Sequence, residues 1–242
     1  DKLRTYYYQA RIYQNAGNNA AAMECFVNAL DKGVESNDNL TKARTLVAQS
    51  TIYYSLYELD NFIETSKRAA SYFKQEEKYS SYANCLIKII NGYTLKDRPE
   101  DALPYVNECK QLKEIMRFAS LCDFYLSYIT YLANCGANAE LKDTIEEYFN
   151  TIPVDNIDWL VLANAYIELG QYEEALQAIE QYKNSAKISE DTKYKVLKSA
   201  IYEKLERHEE ALRAYKEYMV VSDSTISTIM QQDTKFVEER YN

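Results

Sequence analysis

Five cysteines are the residues of this chain best suited to metal binding or redox chemistry, and no two of them form a CxxC pair. They are Cys25, Cys85, Cys109, Cys122 and Cys135. The last three recur every thirteen residues. On a single helix, at about 100° per residue, that spacing places neighbours about 220° apart, so one ion could not reach both. We therefore expect buried thiols that pack as small apolar residues, and no metal site.

Nucleophilic and acid–base catalysis usually requires a histidine or a poised carboxylate beside the reacting group. The chain has a single histidine, His208, and no GxGxxG, Walker, HExxH or GxSxG motif. The paired acids Glu173–Glu174 and Glu209–Glu210 recur at equivalent points of a repeat, which is typical of helix starts, where the helix dipole favours acids. We expect no catalytic residues, no cofactor and no enzymatic activity.

Charge argues against nucleic acid as a ligand. The 242 residues contain 28 Lys and Arg against 37 Asp and Glu, a formal net charge of −9, whereas phosphate backbones are bound chiefly through cations. The longest uncharged run, residues 124–139, is shorter than the roughly 20 apolar residues that a membrane-spanning helix needs. The sequence predicts neither nucleic-acid binding nor direct membrane insertion by this segment.

The composition favours long helices joined by short connections. Hydrophobic residues make up 47% of the chain, whereas only five Gly and three Pro are present. The 24 tyrosines suit helix seams with wet edges, because tyrosine combines an apolar ring with a polar tip. Pro104 lies five residues after Pro99, so we expect that helix to begin late, near Asp101, or to kink.

The stretch WLVLANAYIELGQYEEALQAI, residues 159–179, contains a regular order of large and small residues: Trp159, Leu162, Ala163, Tyr166, Leu169, Gly170, Tyr172, Ala175 and Ile179. The first four positions fall on one stripe of a helix, and Gly170 is expected to end it. This order resembles the tetratricopeptide repeat, W-x₂-L-G-x₂-Y followed by A-x₃-F, with Ala163 and Ile179 as substitutions. Trp159 is therefore expected to be a core residue.

Copies of this template follow one another along the chain. They are predicted at residues 3–36, 46–79, 83–116, 122–155, 156–189 and 192–225. The resemblance implies an all-α fold: one domain over residues 1–242, a right-handed α-solenoid of about six helix-turn-helix repeats. Residues 222–242 have a broken apolar stripe, which predicts a helix that caps the last repeat. The alternative for these residues is the root of a projecting coiled coil.

Tetratricopeptide proteins bind protein or peptide partners on a concave face lined by the first helix of each repeat. Carried over position by position, the resemblance implies partner-binding residues at Arg4, Tyr7, Tyr8, Arg11, Tyr54, Asn84, Lys88, Asn91 and Asn164. The cations could hold a carboxylate or a main-chain carbonyl, and the amides could bond to an extended peptide backbone. The sequence therefore predicts a non-catalytic scaffold for a peptide or protein segment.

A second hypothesis follows from a narrower resemblance. Residues 4–30 and 215–226 look like bacterial membrane-tethered tetratricopeptide proteins, in which the repeats precede a transmembrane helix. That reading makes the chain an extracytoplasmic (periplasmic) sensing or signalling input domain that could act by self-association. Unpaired cysteines are unusual in an oxidising compartment, which weakens the extracytoplasmic placement and keeps a cytoplasmic location as the alternative.

Overall fold

The computed structural model describes residues 2–185 and 193–220, and this part of the chain is all-α, as predicted, without a strand. Its twelve helices are α1 (Lys2–Asn15), α2 (Asn19–Lys32), α3 (Asn39–Ser55), α4 (Leu59–Gln75), α5 (Tyr79–Leu95), α6 (Pro99–Gln111), α7 (Phe118–Asn134), α8 (Asn138–Thr151), α9 (Trp159–Glu168), α10 (Tyr172–Ser185), α11 (Lys193–Lys204) and α12 (residues 208–220). None of the described helices is long and apolar enough to cross a membrane. The predicted cap over residues 222–242 lies outside the described residues.

The chain forms two compact units, Asp1–Ala137 and Asn138–Asn242, called here the N-terminal and C-terminal units. The N-terminal unit contains α1 to α7, and the described part of the C-terminal unit contains α8 to α12. One continuous solenoid over the whole chain stays a prediction.

Helices in the N-terminal unit pack mainly against their neighbours in the chain. The hairpins α1–α2, α3–α4 and α5–α6 each pack as a pair, α3 also packs on α1 and α2, and α5 packs on α4 and α7. Alanines at the seams, Ala10, Ala22, Ala43 and Ala83, have no exposed surface. Because these side chains are single methyl groups, the helices approach closely and larger residues such as Phe26 fill the space beside them.

The C-terminal unit contains the clearest copy of the repeat. Leu162, Ala163, Ala175 and Ile179 are buried between α9 and α10, where the template places them. Trp159 is half-buried rather than enclosed; its ring lies 5.9 Å from the ring of Phe149, on α8.

Asp158 fixes the beginning of α9. Its carboxylate accepts hydrogen bonds from the backbone N–H groups of Leu160 and Val161, at 3.0 and 3.1 Å. Its own N–H donates to the hydroxyl of the buried Tyr148, at 3.0 Å. The start of the strongest repeat is therefore held by a side-chain cap that is itself anchored in the core.

Left-handed residues close the turns between helices. They are Gly17, Tyr57, Glu77, Asp97, Gly136, Gly170 and Glu206, with φ between 54° and 76°. Three are glycines, for which this conformation costs nothing, and four carry side chains that make it unfavourable. Since the template expects glycine in the turn, copies whose turns use Tyr57 or Asp97 match it weakly although their helices are well formed.

The α6 helix begins at Pro99 and Pro104 lies inside it, so the expected late start near Asp101 is wrong, and the alternative of a kink stays a prediction. Pro99 occupies the first turn, where a missing N–H has no cost. The acids Glu100 and Asp101 follow in that first turn, at the positive end of the helix dipole. These start signals outweigh the hydrogen bond that Pro104 removes.

Two opposite substitutions test the turn conformation. Gly136→Ala should lower the free energy of unfolding by about 1 kcal/mol, because its φ is +64° and no heavy atom lies within 4 Å of the added carbon, so the effect is one of backbone alone. Glu77→Gly should raise it by about 0.5 kcal/mol, since relief of strain exceeds the entropy that glycine adds to the unfolded chain. Urea unfolding followed by circular dichroism measures both changes. If the two substitutions changed the free energy of unfolding in the same direction, the left-handed conformation assigned to these turn residues would be contradicted.

Gly92 allows α5 to approach α4. A carbon added there would lie 2.5 Å from Cγ1 of Ile63 and 3.1 Å from Cδ1 of Phe62, both buried residues of α4. A helical glycine is otherwise unfavourable, so its presence mid-helix has a packing reason.

Gly92→Ala should lower the free energy of unfolding by about 1 to 2 kcal/mol, because the overlap outweighs the better helix propensity of alanine. Urea unfolding measures the change. Ser71→Ala, at an exposed position of α4, is the control and should leave stability nearly unchanged. A neutral or stabilising Gly92→Ala would show that the two helices can separate without cost.

Candidate partner-binding site

Three first helices of the N-terminal unit, α1, α3 and α5, line one cavity of about 250 Å³. Its lining residues are Tyr7, Arg11, Arg44, Val47, Ala48, Thr51, Phe73, Ser81, Asn84, Cys85 and Lys88. On α3 and on α5 they follow the spacing i, i+3, i+4, i+7, which places them on one face of each helix, and Phe73 is contributed by α4. The side-chain amide of Gln14 donates to the carbonyl of Ala48, at 3.4 Å, and joins α1 to α3 beside the cavity.

The cavity receives one cation from each first helix: Arg11 from α1, Arg44 from α3 and Lys88 from α5. No Asp or Glu is among its lining residues. This is the reverse of the balance in the chain as a whole, whose net charge is −9. The local field therefore favours an anion.

Lys88 is the most enclosed of these cations. It is half-buried, and its Nζ lies 5.6 Å from the ring centroid of Phe62. Within the part of the chain that the structure describes, it has no hydrogen bond and no ion pair. Burial lowers the pKa of Lys88 below its ordinary value, and interactions with Cys85 and Asp123 oppose this only in part.

Several other cations of the same unit are compensated. Arg4 pairs with Asp38 at 2.7 Å and Lys74 with Glu108 at 2.6 Å. The ammonium of Lys42 donates to the carbonyls of Val34 and Ser36, at 3.1 and 2.6 Å. Arg44, like Lys88, makes no hydrogen bond or ion pair among residues 2–185 and 193–220. Lys88 therefore differs from these compensated cations in being both half-buried and unpaired.

The structure brings together four of the nine predicted partner-binding residues, namely Tyr7, Arg11, Asn84 and Lys88. Tyr8 is exposed next to them, with its ring 5.3 Å from that of Tyr7.

The remaining four predicted residues do not line the cavity. Arg4 is held by Asp38, the N-cap residue of α3. Tyr54 is exposed and its ring packs against that of Phe62, with ring centroids 5.2 Å apart. Asn91 is half-buried on α5. Asn164 belongs to the C-terminal unit, where its amide donates to the carbonyl of Leu160 at 2.9 Å.

Sequence reasoning missed Arg44 and Ser81. The second and third repeats were predicted to begin near residues 46 and 83, but α3 begins at Asn39 and α5 at Tyr79. Both residues therefore fell before the predicted helices. The signal that could have found α3 is Asp38, whose carboxylate caps the helix by accepting from the N–H of Thr41 at 3.0 Å.

The expectation of buried thiols is correct for Cys25, Cys85 and Cys109, but Cys122 is half-buried and Cys135 is exposed. Cys135 follows the last residue of α7 at the turn, beyond the packed face of the helix. Burial raises the pKa of Cys85 and of Cys109 to about 12, so both are protonated thiols. Among the residues described here, no group of three His, Cys, Asp or Glu side chains could hold a metal ion.

Comparisons with known proteins agree with a helical-repeat class. Residues 3–31 and 159–187 match the family model of the tetratricopeptide repeat. The fold is similar to PilW, a widely conserved type IV pilus biogenesis factor (14% identity, 90% of this chain and 92% of that chain covered, TM-score 0.69). It is also similar to a Rap protein complexed with Competence and Sporulation Factor (16% identity, 93% of this chain and 76% of that chain covered, TM-score 0.63). Aspartyl phosphate phosphatase F from Bacillus subtilis has a similar fold (14% identity, 92% of this chain and 61% of that chain covered, TM-score 0.68).

These findings define an α-helical repeat fold for the described residues. Two segments of the chain, residues 3–31 and 159–187, match the tetratricopeptide repeat, and the described residues have the helical-repeat fold of the similar solved structures. No curated protein sequence matches this one significantly. A membrane tether, an extracytoplasmic location and self-association stay predictions.

Replacing the uncompensated charge should stabilise the unoccupied protein. Because the pKa of Lys88 is lowered in the folded state, the native protein holds its proton less tightly than the unfolded chain does. The resulting cost is complete below the native pKa and disappears above the ordinary lysine value of about 10.4. Lys88→Met should therefore raise the urea midpoint at pH 7, and its advantage over the native chain should shrink as the pH rises towards that value.

The control is Arg68→Met, which removes an exposed cation of α4 and should leave the midpoint nearly unchanged at each pH. An advantage of Lys88→Met that is independent of pH would assign the effect to packing rather than to charge.

Proposed function

We propose that the chain is a non-catalytic scaffold that binds a peptide or protein segment along the first helices of its N-terminal unit. The observation that supports this most directly is the cavity with three cations and no lining carboxylate. A half-buried, unpaired ammonium costs free energy in the unoccupied protein. An anionic group of the partner, seated between Arg11, Arg44 and Lys88, would offset that cost.

Aromatic side chains extend this surface beyond the cavity. Tyr7 lines it, and the exposed rings of Tyr8 and Tyr54 lie on the same first helices. Tyrosine provides large contact area at low conformational cost, with a hydroxyl for the backbone of a bound segment. A Rap protein of this fold forms a complex with Competence and Sporulation Factor, which supports a binding role for the architecture.

Side chains of the cavity do not resemble a catalytic set. Cys85 and Lys88 are neighbours there, but the pKa of Cys85 is raised to about 12, which disfavours the nucleophilic thiolate. Neither a histidine nor a carboxylate lines the cavity to act as a general base. We therefore propose binding without chemistry.

Selection of random peptides displayed on phage tests the proposal. Peptides retained by the intact protein should contain at least one acidic group. Their affinity should fall by about tenfold or more for Arg44→Gln and for Lys88→Gln, because each substitution removes a charge-assisted hydrogen bond. Fluorescence anisotropy of labelled peptides measures the affinity.

Arg68→Gln, the same change at an exposed position of α4 outside the cavity, is the matched control and should bind normally. Circular dichroism must show unchanged helicity for all three variants. Peptides that bind the cavity variants as tightly as the native chain would place the partner elsewhere.

A further inference from the structure

The number of hydrogen-bond donors at the cavity indicates which anion it accepts. This inference rests on the proposed binding function. Arg11 uses one N–H on Gln14, at 2.8 Å, and retains the others. Arg44 and Lys88 are unpaired within the described residues, and so are the amide of Asn84 and the hydroxyl of Ser81. A guanidinium offers five donors and an ammonium three, so this set exceeds the roughly four acceptor positions of a single carboxylate.

Charge leads to the same conclusion. Arg11, Arg44 and Lys88 together contribute three positive charges. A carboxylate contributes one negative charge and would leave most of that field uncompensated. A phosphoryl monoester carries about −1.5 to −2 charges at neutral pH and three strong acceptor oxygens, and arginine clusters recognise it by paired hydrogen bonds.

The volume of the cavity indicates whether the phosphoryl group belongs to a small molecule or to a larger partner. Pockets for whole small molecules usually measure about 300 to 1,000 Å³, and this cavity, at about 250 Å³, is smaller. It therefore fits one group of a larger partner better than a complete cofactor. The exposed Tyr8 on α1 and Tyr54 on α3 offer further contact surface for such a partner.

We propose that the cavity between α1, α3 and α5 is a phosphoryl-binding site that recognises a phosphorylated side chain within a bound protein segment. Arg11 and Arg44 would hold the oxygens from two sides, and Lys88 would neutralise the charge at the inner end. Asn84 and Ser81 provide neutral donors on the α5 side.

The test uses the whole chain and two degenerate peptide libraries that differ only at a central residue, phosphoserine in one and glutamate in the other. Fluorescence anisotropy should show at least tenfold tighter binding of the phosphoserine library. Arg44→Gln and Lys88→Gln should remove most of that difference, and Arg68→Gln should retain it. Inorganic phosphate and phenyl phosphate, added as competitors, should bind far more weakly than the phosphopeptides.

The outcomes separate this inference from the proposed function. Equal binding of the two libraries, still dependent on Arg44 and Lys88, would overturn the phosphoryl site and leave acidic-segment binding intact. Phenyl phosphate that binds as tightly as the phosphopeptides would overturn the protein-borne source. A preference for phosphoserine that survives in both cavity variants would overturn the location. Binding of neither library, with phage selection also negative, would remove the proposed function itself.

Discussion

Close approach of neighbouring helices is the constraint on which the rest of this structure depends. Where α4 meets α5, no atom can be added to Gly92 without overlap with Ile63. Elsewhere alanines such as Ala10 and Ala83 fill the seams with single methyl groups. Because packing is this tight within the N-terminal unit, each of its hairpins fixes the orientation of the next, and side chains from helices far apart in sequence face a common space. Arg11, Arg44 and Lys88 are separated in the chain by more than a helix each, yet they line one cavity.

Tight packing also brings oppositely charged side chains of neighbouring helices together, so a half-buried cation without such a partner is unusual. Lys96 pairs with Asp60 and Lys74 with Glu108, each across neighbouring hairpins, so this scaffold readily supplies partners where helices meet. Solvent-exposed pairs of this kind contribute little stability, and their absence from a surface would mean little. The absence of an ion-pair partner beside the half-buried ammonium of Lys88 is different, because this charge has lost hydrating water without gaining a paired anion. Functional sites commonly retain such unfavourable arrangements, since the ligand supplies what the protein lacks.

The fold could be predicted from the sequence because its packing code is periodic. Residues 159–179 contain the template nearly complete, and the buried positions of α9 and α10 agree with it. Helix starts were harder to predict. Asn39 and Tyr79 begin helices earlier than the template implied, because these repeats have longer first helices than the family period allows. Those extra turns contain Arg44 and Ser81, so the prediction found the cavity residues of α1 but missed Arg44 on α3 and Ser81 on α5.

The partial exposure of Lys88 and the low affinity of its amine for protons link the cavity to the acidity of its surroundings. An anion that settles beside this amine favours the ammonium form, so occupancy draws protons towards the protein. By thermodynamic reciprocity, proton release in alkaline solution must then expel the anion. In alkaline buffers, where part of the free protein has lost this proton, calorimetric heats of association would accordingly vary with the ionisation enthalpy of the buffer. In the complex proposed above, one unpaired side chain would couple partner binding to pH.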